Sequence, residues 1–197
     1  MSGRPKLHTR LCDMLEIDYP IMLAGMGSMG KATPPALVAA VSNSGGMGVI
    51  GGAGLEPETI RQKIRETRKL TDKPIGVDLL LPVNLDTNAE PTRTTLRQQI
   101  ERDYPKHYFF MREQLEKHGI AEVQVASETV VSVDQTRAQV EVVLEEDVQV
   151  FAAGLGDPSW IVPMAHEKGM TVVGLVGSPR NAERQVAAGC DIVVAQG

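Results

Sequence analysis

Short apolar runs recur along the chain, separated by segments with helical patterning: Pro20–Ala24, Met47–Gly51, Pro74–Leu81, Val148–Ala153, Thr171–Val176 and Asp191–Gln196. Most are continuous rather than alternating. A strand with one wet face alternates apolar and polar residues, whereas a strand covered on both faces does not. Repeating strand–helix units of this kind predict an α/β fold with a parallel sheet, either doubly wound or closed as a barrel.

The intervening segments carry start and stop signals for helices. Pro34–Ser44 puts Leu37, Val38, Ala40 and Val41 on one stripe, with Thr33 as N-cap and Gly45–Gly46 as the stop. Glu56–Leu70 has acids early and bases late, as the helix dipole favours. Asp134 is placed to cap Gln135–Glu145, and Asp157 to cap Pro158–Lys168, with Gly169 past its end. Ser178 and Pro179 open a last helix that ends at Gly189.

One stretch breaks the rhythm. Residues 84–135, between the third and fourth runs, exceed an ordinary connection and read as a helical insertion, with Arg97–Tyr104 and Lys106–Lys117 both helix-compatible. It holds Tyr104, Tyr108, Phe109 and Phe110. Two readings stay open: a small satellite core, or a lid over a ligand at the strand ends.

Charge and cysteine content exclude several function classes. With 20 Lys+Arg against 25 Asp+Glu, the 197-residue chain has a net charge of −5, against nucleic-acid binding. A 42% hydrophobic composition supports a sizeable core, read as one domain over 1–197. No run has the ~18–20 apolar residues of a membrane span, and residues 1–10 lack the apolar stretch of a secretory signal. Cys12 and Cys190 lie far apart without CxxC spacing, so neither a metal site nor a disulfide framework is expected, and the expected setting is reducing and cytoplasmic.

Two glycine patterns invite nucleotide readings that their context opposes. Gly46-Met47-Gly48-Val49-Ile50-Gly51 satisfies GxGxxG, but it follows a helix and contains the strand, the reverse of the dinucleotide fingerprint. Gly25-Met26-Gly27-Ser28-Met29-Gly30-Lys31-Ala32 approaches a P-loop, but it lacks the Ser/Thr after Lys31, and Pro34 and Pro35 remove two N–H donors. His8, His107, His118 and His166 show no sequence pairing with a nucleophile, Cys190 reads as a small core residue, and the methionines read as core or pocket lining.

The strand ends carry the useful signal. In a parallel α/β barrel the C-terminal strand ends face the site. Here they read Ala24-Gly25-Met26, Gly51-Gly52, Asp78, Ala153-Gly154, Gly177 and Gln196-Gly197. Such a mouth is poor in acid–base groups and rich in backbone and small residues. It suits a planar cofactor that carries the redox chemistry while the protein supplies position and hydrogen bonds.

Four segments together resemble the nitronate monooxygenases, formerly called 2-nitropropane dioxygenases: Tyr19 to Met26, Ala39 to Gly48, Lys73 to Leu79, and Ala188 to Gly197. The resemblance spans nearly the whole chain outside the insertion. It implies a TIM-barrel (βα)8 fold, here about six βα units with a helical insertion after strand 3. It also implies an FMN-dependent oxidoreductase that converts alkyl nitronates with O2 to carbonyl compounds and nitrite. By the same resemblance Ala24, Gly25 and Met26 lie against the flavin, Gln196 and Gly197 sit beside it, and Asp78 falls where many members carry Asn. A carboxylate cannot donate a hydrogen bond as an amide can. Leu175 lies on the strand where some members place a flavin-contacting Lys.

In the family the catalytic His follows the Gln-Gly pair, which places it beyond Gly197, so no catalytic residue is named here. The chain is expected to be the first three-quarters of a flavin-binding barrel, truncated on its C-terminal side. By itself it is expected to hold FMN weakly or not at all, with its activity left open. Two other readings compete: a flavin-dependent enoyl-acyl-carrier-protein reductase, and a non-catalytic incomplete barrel that self-associates through exposed sheet edges. The expected partners are a small-molecule substrate and O2, with no nucleic acid and no membrane.

Overall fold

The computed structural model describes residues 7–26, 31–82, 92–121 and 132–196. The chain divides into two compact units, one formed by 1–85 with 133–197 and the other by 86–132.

The first unit is built on a parallel sheet of β1 (Gly48–Gly51), β2 (Ile75–Leu80), β3 (Val150–Gly154), β4 (Thr171–Val176) and β5 (Ile192–Ala195), in sequential order. The run Pro20–Ala24 joins it through a single parallel bridge, Met22 to Met47, rather than as a strand. Met47 N–H donates to the Ile21 carbonyl at 2.9 Å and Leu23 N–H donates to the Met47 carbonyl at 2.8 Å. Pro20 has no N–H to give, and beyond Leu23 the chain turns across the strand ends. The helices of this unit are α1 (Arg10–Leu15), α2 (Pro35–Asn43), α3 (Pro57–Arg68), α6 (Val133–Glu145), α7 (Val162–Glu167) and α8 (Pro179–Ala187). The other unit holds α4 (Arg93–Asp103) and α5 (Pro105–Lys117).

Alternation along the strands sorts two cores. Ile50, Val77, Leu79, Phe151 and Val172 pack with helix residues such as Val38, Ile60, Val143 and Ile161. The opposite face, with Val49, Val150, Ala152 and Val173, packs with Cys12 and Leu15 of α1. One face of the sheet therefore carries the helical layer, and the other is a barrel interior with α1 packed into it. Cross-links add to the outer layer: Arg61 of α3 donates to Glu146 and Glu145 at the end of α6, each at 2.7 Å.

The glycines of the GxGxxG pattern serve this packing. A Cβ on Gly48 would stand 2.1 Å from the Val38 carbonyl oxygen, so α2 lies directly on the strand there. Gly48 N–H also donates to Ser42 Oγ at 3.0 Å, and Ser42 donates on to the Pro74 carbonyl.

Several helix boundaries differ from expectation. α2 begins after Pro34 as N-cap, and Thr33 is engaged elsewhere. Asp134 lies inside the first turn of α6 rather than capping it, which places 133–135 with the sheet unit. α7 is only 162–167: Pro163, without an N–H, sits at its start, and 158–161 form a turn closed by Ile161 N–H to the Pro158 carbonyl at 2.8 Å. Asp157 Oδ1 accepts from Ser159 N–H at 2.9 Å in that turn. α8 begins as expected, with Ser178 Oγ accepting from Asn181 N–H, and Gly189 beyond its end adopts φ +95°.

In the second unit, Thr92 and Thr95 form a capping box on α4. Of the two open readings, the satellite core is not seen among the described residues, because neither α4 nor α5 has a buried side chain. Tyr104, Phe109 and Phe110 are each about 60% exposed.

Candidate functional site

The C-terminal ends of the strands open into a cavity of about 1420 Å³. Register sets its floor. Gly51 pairs with Asp78, Asp78 with Ala152, Ala152 with Val173, and Val173 with Ile192, so one inward layer reads Gly, Asp, Ala, Val, Ile. Asp78 is the only charged side chain in that layer. It points inward because Val77 and Leu79 belong to the outer core.

The segment 24–26 lies across the ends of β1 and β2. A Cβ on Gly25 would be 2.4 Å from Asp78 Cβ and 2.8 Å from its Oδ2, and a Cβ on Gly51 would be 2.8 Å from the Met26 carbonyl oxygen. Both glycines are required by close approach. Thr33, fully buried, fixes the crossing: it accepts from Gly51 N–H at 3.0 Å and donates to the Met26 carbonyl at 3.3 Å. The hydroxyl read as a helix cap thus ties the glycine turn to the strand end.

Asp78 is the electrostatic singularity of the site. Its Oδ1 is buried with no hydrogen-bond partner among the described residues. Desolvation pushes the carboxyl up to about 7. Every other inward position nearby is Gly, Ala or an aliphatic residue, and none supplies a donor.

The structure brings the expected site residues Ala24, Gly25, Met26, Asp78 and Gln196 to one cavity. Gly197 lies outside the described residues. Leu175 adds apolar wall. In the sheet unit, His8 bonds Asp13 and His166 bonds Asp191, and neither lines the cavity. Burial pushes the Cys190 thiol up to about 11, with Asp191 and Asp157 adding to it, and Cys190 donates to Gln185 Oε1. A thiol held protonated in this way is no nucleophile.

Sequence reasoning missed Leu155, Asp157, Asn181 and Arg184, which also line the cavity. Leu155 follows β3 with φ +52° and is 67% exposed, a conformation disfavoured for a branched apolar residue. The sequence reading marked Ala153-Gly154 as a strand end but not this strain. Asn181 and Arg184 are three apart on α8 and share a face. Among the described residues no cluster of His, Cys, Asp and Glu is arranged to hold a metal, and no helix is long and apolar enough to cross a membrane.

The nitronate monooxygenase family model matches residues 8–197. The chain belongs to the nitronate monooxygenase family. It is 31% identical over 190 residues to the nitronate monooxygenase of Paraburkholderia phytofirmans, covering 95% of this chain and 47% of that protein. Among solved structures, FabK from Thermotoga maritima shares 30% identity with a TM-score of 0.67, over 98% of this chain and 45% of that one. Nitroalkane oxidase from Streptomyces ansochromogenes, at 23% identity and a TM-score of 0.68 over 96% of this chain and 48% of that one, shares the fold. The chain spans about half the length of the curated relatives it matches. The fold is therefore α/β of TIM-barrel type, with this chain forming a five-stranded open part of the barrel.

Proposed function

We propose that the strand-end cavity of this family member holds the ring of FMN, and that the whole protein oxidises alkyl nitronates with O2 to carbonyl compounds and nitrite. The observation that carries the reading is the bare backbone of Gly25 laid on Asp78, at the mouth of a cavity otherwise floored by small and aliphatic residues. A flat ring needs such a surface, with side chains kept short beneath it and a few polar groups at its edge. The residues present fit: Ala24, Gly25 and Met26 offer backbone, Asp78 an unpartnered polar atom, and Gln196 an amide that both donates and accepts. Gly197 is assigned to the same site from the resemblance alone.

The flavin, when bound, supplies electron transfer between the nitronate and dioxygen. The chain's own residues do the positioning. Thr33 holds the 24–26 crossing in place, Gly25 keeps the approach open, and Leu175, Val173 and Leu80 exclude water from one side of the cavity. The contribution proposed for these residues is binding and orientation.

The similarity to FabK at 30% identity supports a second reading, a flavin-dependent enoyl-acyl-carrier-protein reductase. Turnover of ethylnitronate against a crotonyl thioester, by the protein as encoded together with any residues its gene places beyond Gly197, separates the two. Nitrite release with O2 consumption supports the first reading. Pyridine-nucleotide-dependent thioester reduction alone supports the second.

A further inference from the structure

We propose that Asp78 carries a proton when the ring ligand is bound and donates it in a hydrogen bond to a carbonyl-type oxygen or unprotonated nitrogen of that ring. Ligand retention then depends on pH through this one side chain. The inference rests on the flavin reading above and assigns a proton and a direction to one contact within it.

No described residue donates to the Asp78 carboxyl, and its Oδ1 has no contact with water. An ionised carboxylate is acceptor-only, so once a ring covers the half-buried Asp78 its charge stays uncompensated. The protonated form is neutral and brings the one thing the surrounding layer lacks, an O–H donor. Among the described residues, the elements packed against Asp78 offer no charge to oppose this. They present Gly25 from the crossing segment, Gly51 and Gly52 from the end of β1, and Ala152 and Gly154 from β3. The ionisable groups elsewhere on the cavity wall are Asp157 and Arg184, and neither contributes to the shift of Asp78, which arises from desolvation alone. A neutral Asp78 also removes a negative charge from a cavity proposed to receive an anionic nitronate.

Riboflavin tests the proposal, because it lacks the phosphate whose own titration near pH 6 would confuse the profile. Fluorescence quenching is measured from pH 5.5 to 8.5 with the protein together with any residues its gene places beyond Gly197, alongside Asp78→Asn and Asp78→Ala. The wild type is expected to lose affinity about tenfold between pH 6 and pH 8, as follows from a carboxyl titrating near 7. Asp78→Asn, a donor at every pH, is expected to bind as tightly as the wild type at pH 6 and to show no such loss. Asp78→Ala is expected to bind weakly throughout. The Asp78 carboxyl 13C resonance, followed without ligand, is expected to titrate near 7 and to move higher with riboflavin present. Tight, pH-independent binding by the wild type, or a carboxyl midpoint near the ordinary value of about 4, overturns the proposal and leaves the flavin reading standing. No riboflavin binding by the wild type or by Asp78→Asn at any pH overturns both.

Discussion

The Cα of Gly25 lies so close over Asp78 that a Cβ there would come within 2.4 Å of Asp78 Cβ. Real side chains do not tolerate that distance, so the turn and the carboxyl occupy their positions jointly.

Gly25→Ala should therefore destabilise the protein by about 1–3 kcal/mol through overpacking. In an Asp78→Gly background, where the clashing atoms are gone, the same substitution should cost at least about 1 kcal/mol less. Urea denaturation of the four proteins measures the coupling. Additive effects would show that the two residues do not meet.

The pH dependence of stability follows from the raised carboxyl. Folded Asp78 titrates near 7, against an ordinary value of roughly 4 in the unfolded chain. Between those values the folded protein binds more protons than the unfolded one, so this group's effect on stability becomes less favourable as pH rises from about 4 to about 7. Asp78→Asn should match the wild type near pH 4 and exceed it at pH 8 by up to about 4 kcal/mol. Equal urea midpoints at pH 8 would contradict this.

Thr33 holds two backbone groups at once, the Gly51 N–H and the Met26 carbonyl. Thr33→Val keeps the shape and removes the hydroxyl, leaving a buried N–H without a partner. A loss of about 1–3 kcal/mol is expected, with faster hydrogen exchange at the Gly51 amide. Thr33→Ser should keep slow exchange at Gly51.

Leu155 is strained and mostly exposed at the edge of the cavity. Leu155→Gly removes the left-handed penalty, so thermal stability should hold or rise by up to about 1 kcal/mol. Ligand affinity should fall, because the apolar wall is lost. A loss of both stability and affinity would mean that the side chain is structural.

The legible part of this protein was what strand patterning carries. The continuous run around Asp78 placed it on a strand, and period-2 alternation turns it inward. The strand ends were read as bare, and those of β2 to β4 do open into one cavity. The contacts between distant segments were not legible. Thr33 looks like a helix cap because Ser and Thr usually bond locally, whereas here its partners are a turn and a strand end. The four aromatics of 104–110 suggested a core because aromatics usually pack, yet the helices bearing them bury nothing. Pro20–Ala24 read as a strand from its side chains, but its chain path leaves the sheet after one bridge.

The placement of the ring is tested by calorimetric titration of FMN into the protein together with any residues its gene places beyond Gly197, beside its Gly25→Val variant. One equivalent should bind the wild type, and binding should be lost in a Gly25→Val protein that still folds. An absence of FMN binding to the wild type, or equal binding by the variant, would contradict the placement of the ring on the Gly25 backbone.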